Sequence, residues 1–219
     1  MPEYPLLSSL NGSSAIHFLS YEEKRQVAEE LRALIIRTVA ANGGHLAPNL
    51  GVIELTIALL ATNDVPGDSL IFDVGHQCYA WKILTDRFAE FPTLRQKGGL
   101  SGFPKTQESA YDVFNTGHSS TSISAALGLA RAKRLKGDHS KTIALIGDGA
   151  LGGGMAFEAL SDAGQSGDDL LVILNDNQMC IDHAVGAMPR HLEKLRTSQR
   201  YIRLKTIWEQ RLEKIPLLG

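Results

Sequence analysis

The sequence predicts an α/β fold: a mostly parallel sheet with helices on both faces. Three observations carry this reading. Two short apolar runs, at 143–146 and 170–174, each end in a polar, turn-forming triplet, Gly147-Asp148-Gly149 and Asn175-Asp176-Asn177. Between them a glycine cluster, Gly152-Gly153-Gly154, leads into a helical pattern over residues 155–163. A further apolar run, at 70–74, also ends in a polar cluster, Gly75-His76-Gln77. Short apolar runs flanking a helical segment indicate a βαβ unit with buried parallel strands. The polar triplets then share the carboxyl edge of the sheet, where open α/β sheets bind ligands.

The elements follow in order. Residues 1–19 read as an irregular lead-in. Ser20 opens a capping box with Glu23, and Val27, Leu31, Leu34, Ile35 and Thr38 form one helical stripe. Asn42-Gly43-Gly44 ends that helix. His45, in the loop that follows, is either a ligand-facing residue or a C-capping histidine. Residues 52–60 are apolar almost all round, which predicts a buried helix. Residues 63–68 form a turn, and residues 79–84 look helical. The stretch 85–111 is rich in loop residues, and its length suggests a functional loop. Arg95 and Lys97 within it are either anion-binding or solvated.

Residues 112–116 are a short strand candidate ending in Gly117-His118-Ser119-Ser120. A helix of small residues is predicted over 121–136, stopped by Gly137. Residues 190–215 are a helix candidate. From Ala187 onward the chain has eight Lys/Arg and three Asp/Glu, which reads as a solvated face or a path to a neighbouring segment, not a nucleic-acid site.

Composition bounds the function. A chain of 219 residues, 43% hydrophobic and 21% charged, suits one substantial globular domain. A formal net charge of −2 gives no sign of a nucleic-acid or membrane partner. No apolar stretch is long enough to span a bilayer, and no targeting signal is visible. Cys78 and Cys180 have no framework spacing, so the expectation is a cytoplasmic protein with free thiols.

The chemistry at the predicted sheet edge is readable. Asp148 offers a carboxylate oxygen and Asn177 an amide oxygen, the hard donors Mg²⁺ takes together with phosphate and water. Gly149 and the 152–154 cluster let backbone N–H groups approach an anion. A glycine cluster alone also suits another nucleotide or a bare βα turn. The two triplets at roughly the 30-residue spacing of a βαβ unit are sharper, and together they resemble the thiamine-diphosphate motif.

Longer blocks extend the resemblance. HLAPNLGVIELTIAL, DVGHQ with KILT, RQKGGLSGFPK, YDVFNTGHSSTSIS, GDGAL with GGMAFEAL, and LNDNQM with VGAM resemble the 1-deoxy-D-xylulose-5-phosphate synthase family, from Ser20 to the last residue. The resemblance implies a truncated transketolase-like fold and a transferase that joins pyruvate, after decarboxylation, to glyceraldehyde 3-phosphate. Its product feeds isoprenoid and thiamine biosynthesis. It implies thiamine diphosphate and Mg²⁺ as cofactors, with Asp148, Asn177 and the Met179 carbonyl as metal ligands. Gly117, His118, Ser119, Gly149, Ala150, Asn177 and His76 would contact the cofactor. His45 and His76 would be catalytic.

Departures from the family pattern are Gly152 for Thr, Gln178 for Glu, Cys180 and Asp182 for Ser, Pro48 for Ser and Trp81 for His. Family members also continue well beyond this length. Residues 1–219 are therefore expected to be the diphosphate-binding domain, with the pyrimidine-binding and C-terminal domains absent and the isolated chain inactive. The full-length form is expected to be a homodimer. The alternatives are one subunit of a split enzyme, with a second polypeptide carrying the pyrimidine-binding domain, and a non-catalytic cofactor-binding or partner-binding remnant.

Overall fold

The computed structural model describes residues 3–176, 194 and 197–212. The chain divides into two compact units, residues 1–177 and 178–219. In the first, three parallel strands form one sheet in sequence order: β1 (Ser69–Phe72), β2 (Thr142–Gly147) and β3 (Leu171–Asn175). Ser69 pairs with Thr142, Ile143 with Leu171, and Gly147 with Asn175. The last pairing puts Gly147 and Asn175, which open the two polar triplets, side by side at the carboxyl edge; Asn177 lies outside the described residues.

β1 and β2 are buried almost throughout. Successive side chains alternate between faces. Leu70, Phe72, Ile143 and Leu145 join the main core, with Val27, Leu31 and Ile35 of helix α2 (Tyr21–Asn42) and Ile53, Ile57 and Leu60 of α4 (Ile53–Thr62). Between these two lies the short α3 (Leu46–Leu50). Ile71, Ala144 and Ile146 point the other way, and α6 (Ser122–Lys136) packs across β1 and β2. Its buried stripe is Ile123, Ala126, Leu127 and Ala130. Helices thus cover both faces.

Local rules account for most of these elements. The capping box at α2 forms in full: the Glu23 N–H donates to Ser20 Oγ, and the Ser20 N–H donates to Glu23 Oε2 at 2.7 Å. Gly43 ends α2, and Gly137 ends α6 in the left-handed conformation. Residues 79–84 are helical, as α5 (Tyr79–Lys82) running into a π-helical turn at Ile83–Arg87. The predicted helix over 155–163 is α8 (Gly154–Ser166), preceded by the four-residue α7 (Asp148–Leu151). In the second unit, α9 (Gln199–Leu212) falls within the predicted 190–215 segment, and its described side chains are exposed.

Two expectations are corrected. The lead-in is not irregular: Pro5–Ser9 forms helix α1, and Ser13–Phe18 forms a 3-10 helix. The carboxylate of Glu30, on α2, accepts the N–H groups of Leu6 and Leu7 at 3.2 and 2.9 Å. Those are first-turn donors that a helix leaves open.

Residues 112–116 are not a strand. Side-chain oxygens, not a ladder, organise that stretch. The Asp112 carboxylate accepts from Arg87, from Trp81 Nε1 and from the Lys105 N–H, while Asn115 Oδ1 accepts the Thr106 N–H. His118 therefore lies in the lead-in to α6 rather than at a strand end.

Candidate functional site

The site is assembled from three chain reversals at the carboxyl edge. After β1, the backbone turns sharply through Val74 and Gly75, both with positive φ, at 58° and 85°. The left-handed region is strained for a β-branched residue and natural for glycine. A Cβ at Gly75 would meet Thr116 Oγ1 at 2.0 Å, so the turn presses directly on the chain leading to Gly117.

Asp73 locks this turn to the next one. Its buried carboxylate accepts the N–H of Ser120 at 2.7 Å and that of Ser122 at 3.0 Å. An anion at the start of a helix satisfies donors that would otherwise be open. Ser120 then reaches the third reversal: its hydroxyl donates to the Ala150 carbonyl at 2.7 Å. The contact is close enough that a Cβ at Gly153 would lie 2.0 Å from Ser120 Oγ. Gly117, His118 and Ser119 stay exposed above this anchor, as does Gly149, with Ala150 half-buried.

Asp148 begins α7 directly after β2 and is half-buried. It has no hydrogen-bond or ion-pair partner among the described residues. Asn177 and Met179, the other expected metal ligands, lie outside the described residues, as do Gln178, Cys180 and Asp182. Among the described residues no cluster of three His, Cys, Asp or Glu side chains is arranged for a metal ion.

The two histidines come together. The rings of His45 and His76 meet edge to face with centroids 5.5 Å apart, and Phe103 flanks His45 at 6.0 Å. His45 does not cap a helix with its side chain. Nδ1 of each imidazole is buried without a partner among the described residues. Burial, then the charge of Arg95, pushes the His45 pKa down. Burial, then His45, pushes His76 down, with Asp73 opposing. Both rings are therefore neutral at pH 7, the state in which one ring nitrogen accepts a proton and the other donates.

Of the two basic loop residues, Arg95 lies near enough for His45 to feel its charge, while Lys97 is exposed. Cys78 is fully buried, and burial pushes its thiol up to about 12, so it is no nucleophile. Trp81, one of the departures expected from the family resemblance, is also fully buried, bound to Asp112 and set edge-on against Phe72 at 5.9 Å. At Gly152 a Cβ would meet nothing closer than the Gly149 carbonyl at 3.8 Å, so no steric constraint demands glycine there.

Sequence reading missed Asp73, Ser120 and Asn49 as site-building residues; the buried Asn49 amide donates to the carbonyls of both His45 and His76. Asp73 stands immediately before the Val-Gly-His turn, the only local signal it has. Ser120 carries a φ of 69° that no sequence pattern announces.

This parallel sheet, with helices on both faces and chain reversals at its carboxyl edge, is the thiamine-diphosphate-binding, transketolase-like α/β fold. Among the described residues no helix is long and apolar enough to cross a membrane. A family model described as 1-deoxy-D-xylulose-5-phosphate synthase matches residues 7–218. The chain belongs to that family.

It is 54% identical over 214 residues to the 1-deoxy-D-xylulose-5-phosphate synthase of Syntrophomonas wolfei, covering 98% of this chain and 34% of that protein. The synthase of Clostridium kluyveri is 53% identical over 216 residues, covering 99% of this chain and 35% of that protein. The chain thus spans about a third of the length of the curated relatives it matches.

Proposed function

We propose that this chain provides the diphosphate and Mg²⁺ half-site of a thiamine-diphosphate-dependent synthase. That enzyme condenses pyruvate, with loss of CO₂, and glyceraldehyde 3-phosphate into 1-deoxy-D-xylulose 5-phosphate. The observation that carries the reading is the Asp148 carboxylate, without a partner among the described residues, beside the Gly147–Asn175 pairing, at the edge where Ser120 and Asp73 gather the exposed Gly117–Ser119 loop.

The donor set fits the cofactor. Asp148, Asn177 and the Met179 carbonyl would hold the metal through hard oxygens. Gly117, His118, Ser119, Gly149 and Ala150 would line the diphosphate. The Nδ1 atoms of His45 and His76, unpartnered among the described residues, fit a polar ligand. When bound, the cofactor supplies the carbanion-stabilising centre. The chain's own share is to bind the anion, to keep two neutral imidazoles beside it, and to move protons through them.

The segments that activate the cofactor ring lie, in this proposal, in the part of the relatives that this chain does not span. The free Cys78 thiol supports a cytoplasmic setting.

Titration calorimetry tests the reading. Thiamine diphosphate should bind the chain with Mg²⁺ present and lose most of its affinity when the metal is chelated. Equal binding with and without metal, or none at all, would sink it.

A further inference from the structure

We propose that Asn49 is a positioning residue whose buried amide clamps the His45 and His76 loops together and so sets the spacing of the two imidazoles. The inference deepens the functional reading above and rests on it for the role of those rings.

Asn49 is fully buried on α3. Its amide nitrogen donates to the His45 carbonyl at 2.6 Å and to the His76 carbonyl at 2.7 Å. Its amide oxygen accepts the Tyr79 N–H at 2.9 Å. The orientation of the amide follows from the partners, since carbonyls only accept and an N–H only donates. Both donors and the acceptor are thereby committed, and moving either loop breaks a buried bond.

The bond to His45, four residues back, is the local kind any short polar side chain near a helix start can make. The bond to His76 crosses 27 residues of sequence and has no local explanation. Tyr79 completes the clamp: its hydroxyl oxygen accepts the His45 N–H at 3.3 Å. His45 is thus held at both its N–H and its carbonyl.

The clamp grips only the backbone. The rings are left 5.5 Å apart with each Nδ1 unpartnered among the described residues, so the clamp fixes the histidines without spending the atoms a ligand would use. A side chain that held the rings themselves would consume those atoms.

The test reads the electrostatic coupling between the rings. Imidazole titrations followed by NMR in the 219-residue chain give the His76 pKa with and without His45→Gln. In the wild type that substitution should raise the His76 pKa, because His45 contributes to its depression; Arg95 and Asp73 are the other charged groups in play. In Asn49→Ala the increment should disappear. Asn49→Asp, isosteric and still able to accept from Tyr79, decides the matter where the alanine variant fails to fold. Its added charge cancels in the difference.

An unchanged increment in the folded variants would overturn the proposal. So would rapid solvent exchange of the Asn49 side-chain protons in the wild type, which should be slow. Thiamine diphosphate binding is measured separately on the same samples. Its absence in the wild type would count against the functional reading while leaving the coupling readout intact.

Discussion

The Asp73 carboxylate accepts the Ser120 N–H at 2.7 Å across 47 residues of sequence. This bond joins the end of β1 to the loop that opens α6, and through the Ser120 hydroxyl to the reversal after β2. One buried acid therefore governs how three separate chain reversals meet.

Replacing Asp73 with alanine leaves the N–H groups of Ser120 and Ser122 open in a buried setting. Hydrogen bonds to a charged group are worth about 2 to 3 kcal/mol, so a loss of that order is expected in urea unfolding. Asp73→Asn should lose less, since its amide oxygen still accepts. Equal stability of Asp73→Ala and wild type would remove Asp73 from its organising role.

Asp148 behaves in the opposite way. It has no partner among the described residues, so Asp148→Asn should shift stability by no more than about 0.5 kcal/mol. Metal-dependent cofactor binding should fall by about 100-fold or more, since even outer-shell changes at metal sites cost 10–100-fold. Thermal melts and calorimetry on one preparation separate the two effects. Full binding by a folded Asp148→Asn protein would contradict the metal-ligand assignment.

Two neighbouring glycines should respond differently. A Cβ at Gly153 would lie 2.0 Å from Ser120 Oγ, so Gly153→Ala must displace that hydroxyl from the Ala150 carbonyl. Overpacking costs about 1 to 3 kcal/mol, and the lost hydrogen bond about 0.5 to 1.5 kcal/mol more. At Gly152 the nearest atom a Cβ would meet is 3.8 Å away, and Gly152→Thr should fold normally. Comparable damage from both substitutions, seen in unfolding midpoints, would refute the packing argument.

The histidines set a pH dependence. The folded-state pKa values of His45 and His76 are both depressed, mainly by burial. Below the ordinary histidine pKa of about 6.5 the unfolded chain binds more protons than the folded one. The associated stability is thus fully present above about pH 6.5 and is lost as pH falls through the depressed folded values. Urea midpoints followed from about pH 7.5 to 5 should decline on acidification, and His76→Gln should flatten that decline. An unaltered slope in the variant would exclude His76 as its source.

These residues also mark where sequence reasoning succeeds and stops. β2, β3 and α2 were legible because their signals are local: short apolar runs, a Ser–Glu capping box, a glycine stop. The Gly147–Asn175 juxtaposition followed from strand polarity alone. Asp73, Asn49 and Glu30 act through hydrogen bonds 23 to 49 residues long in sequence, for which no periodicity exists. The stretch at 112–116 misled for the same reason. Its Val and Phe look strand-like, yet Asp112 spends its carboxylate on Arg87, Trp81 and Lys105 instead of lying beside a strand.

That buried carboxylate has a further consequence. With Lys82 paired to Glu108 alongside it, Asp112 pins the long segment between α5 and α6 into the body of the protein. The segment carries Phe103 and the Gly117–Ser119 loop. Its conformational entropy is therefore surrendered during folding and not at the moment of ligand capture. Association should draw little heat-capacity change from this segment beyond that of the surface the ligand covers on it.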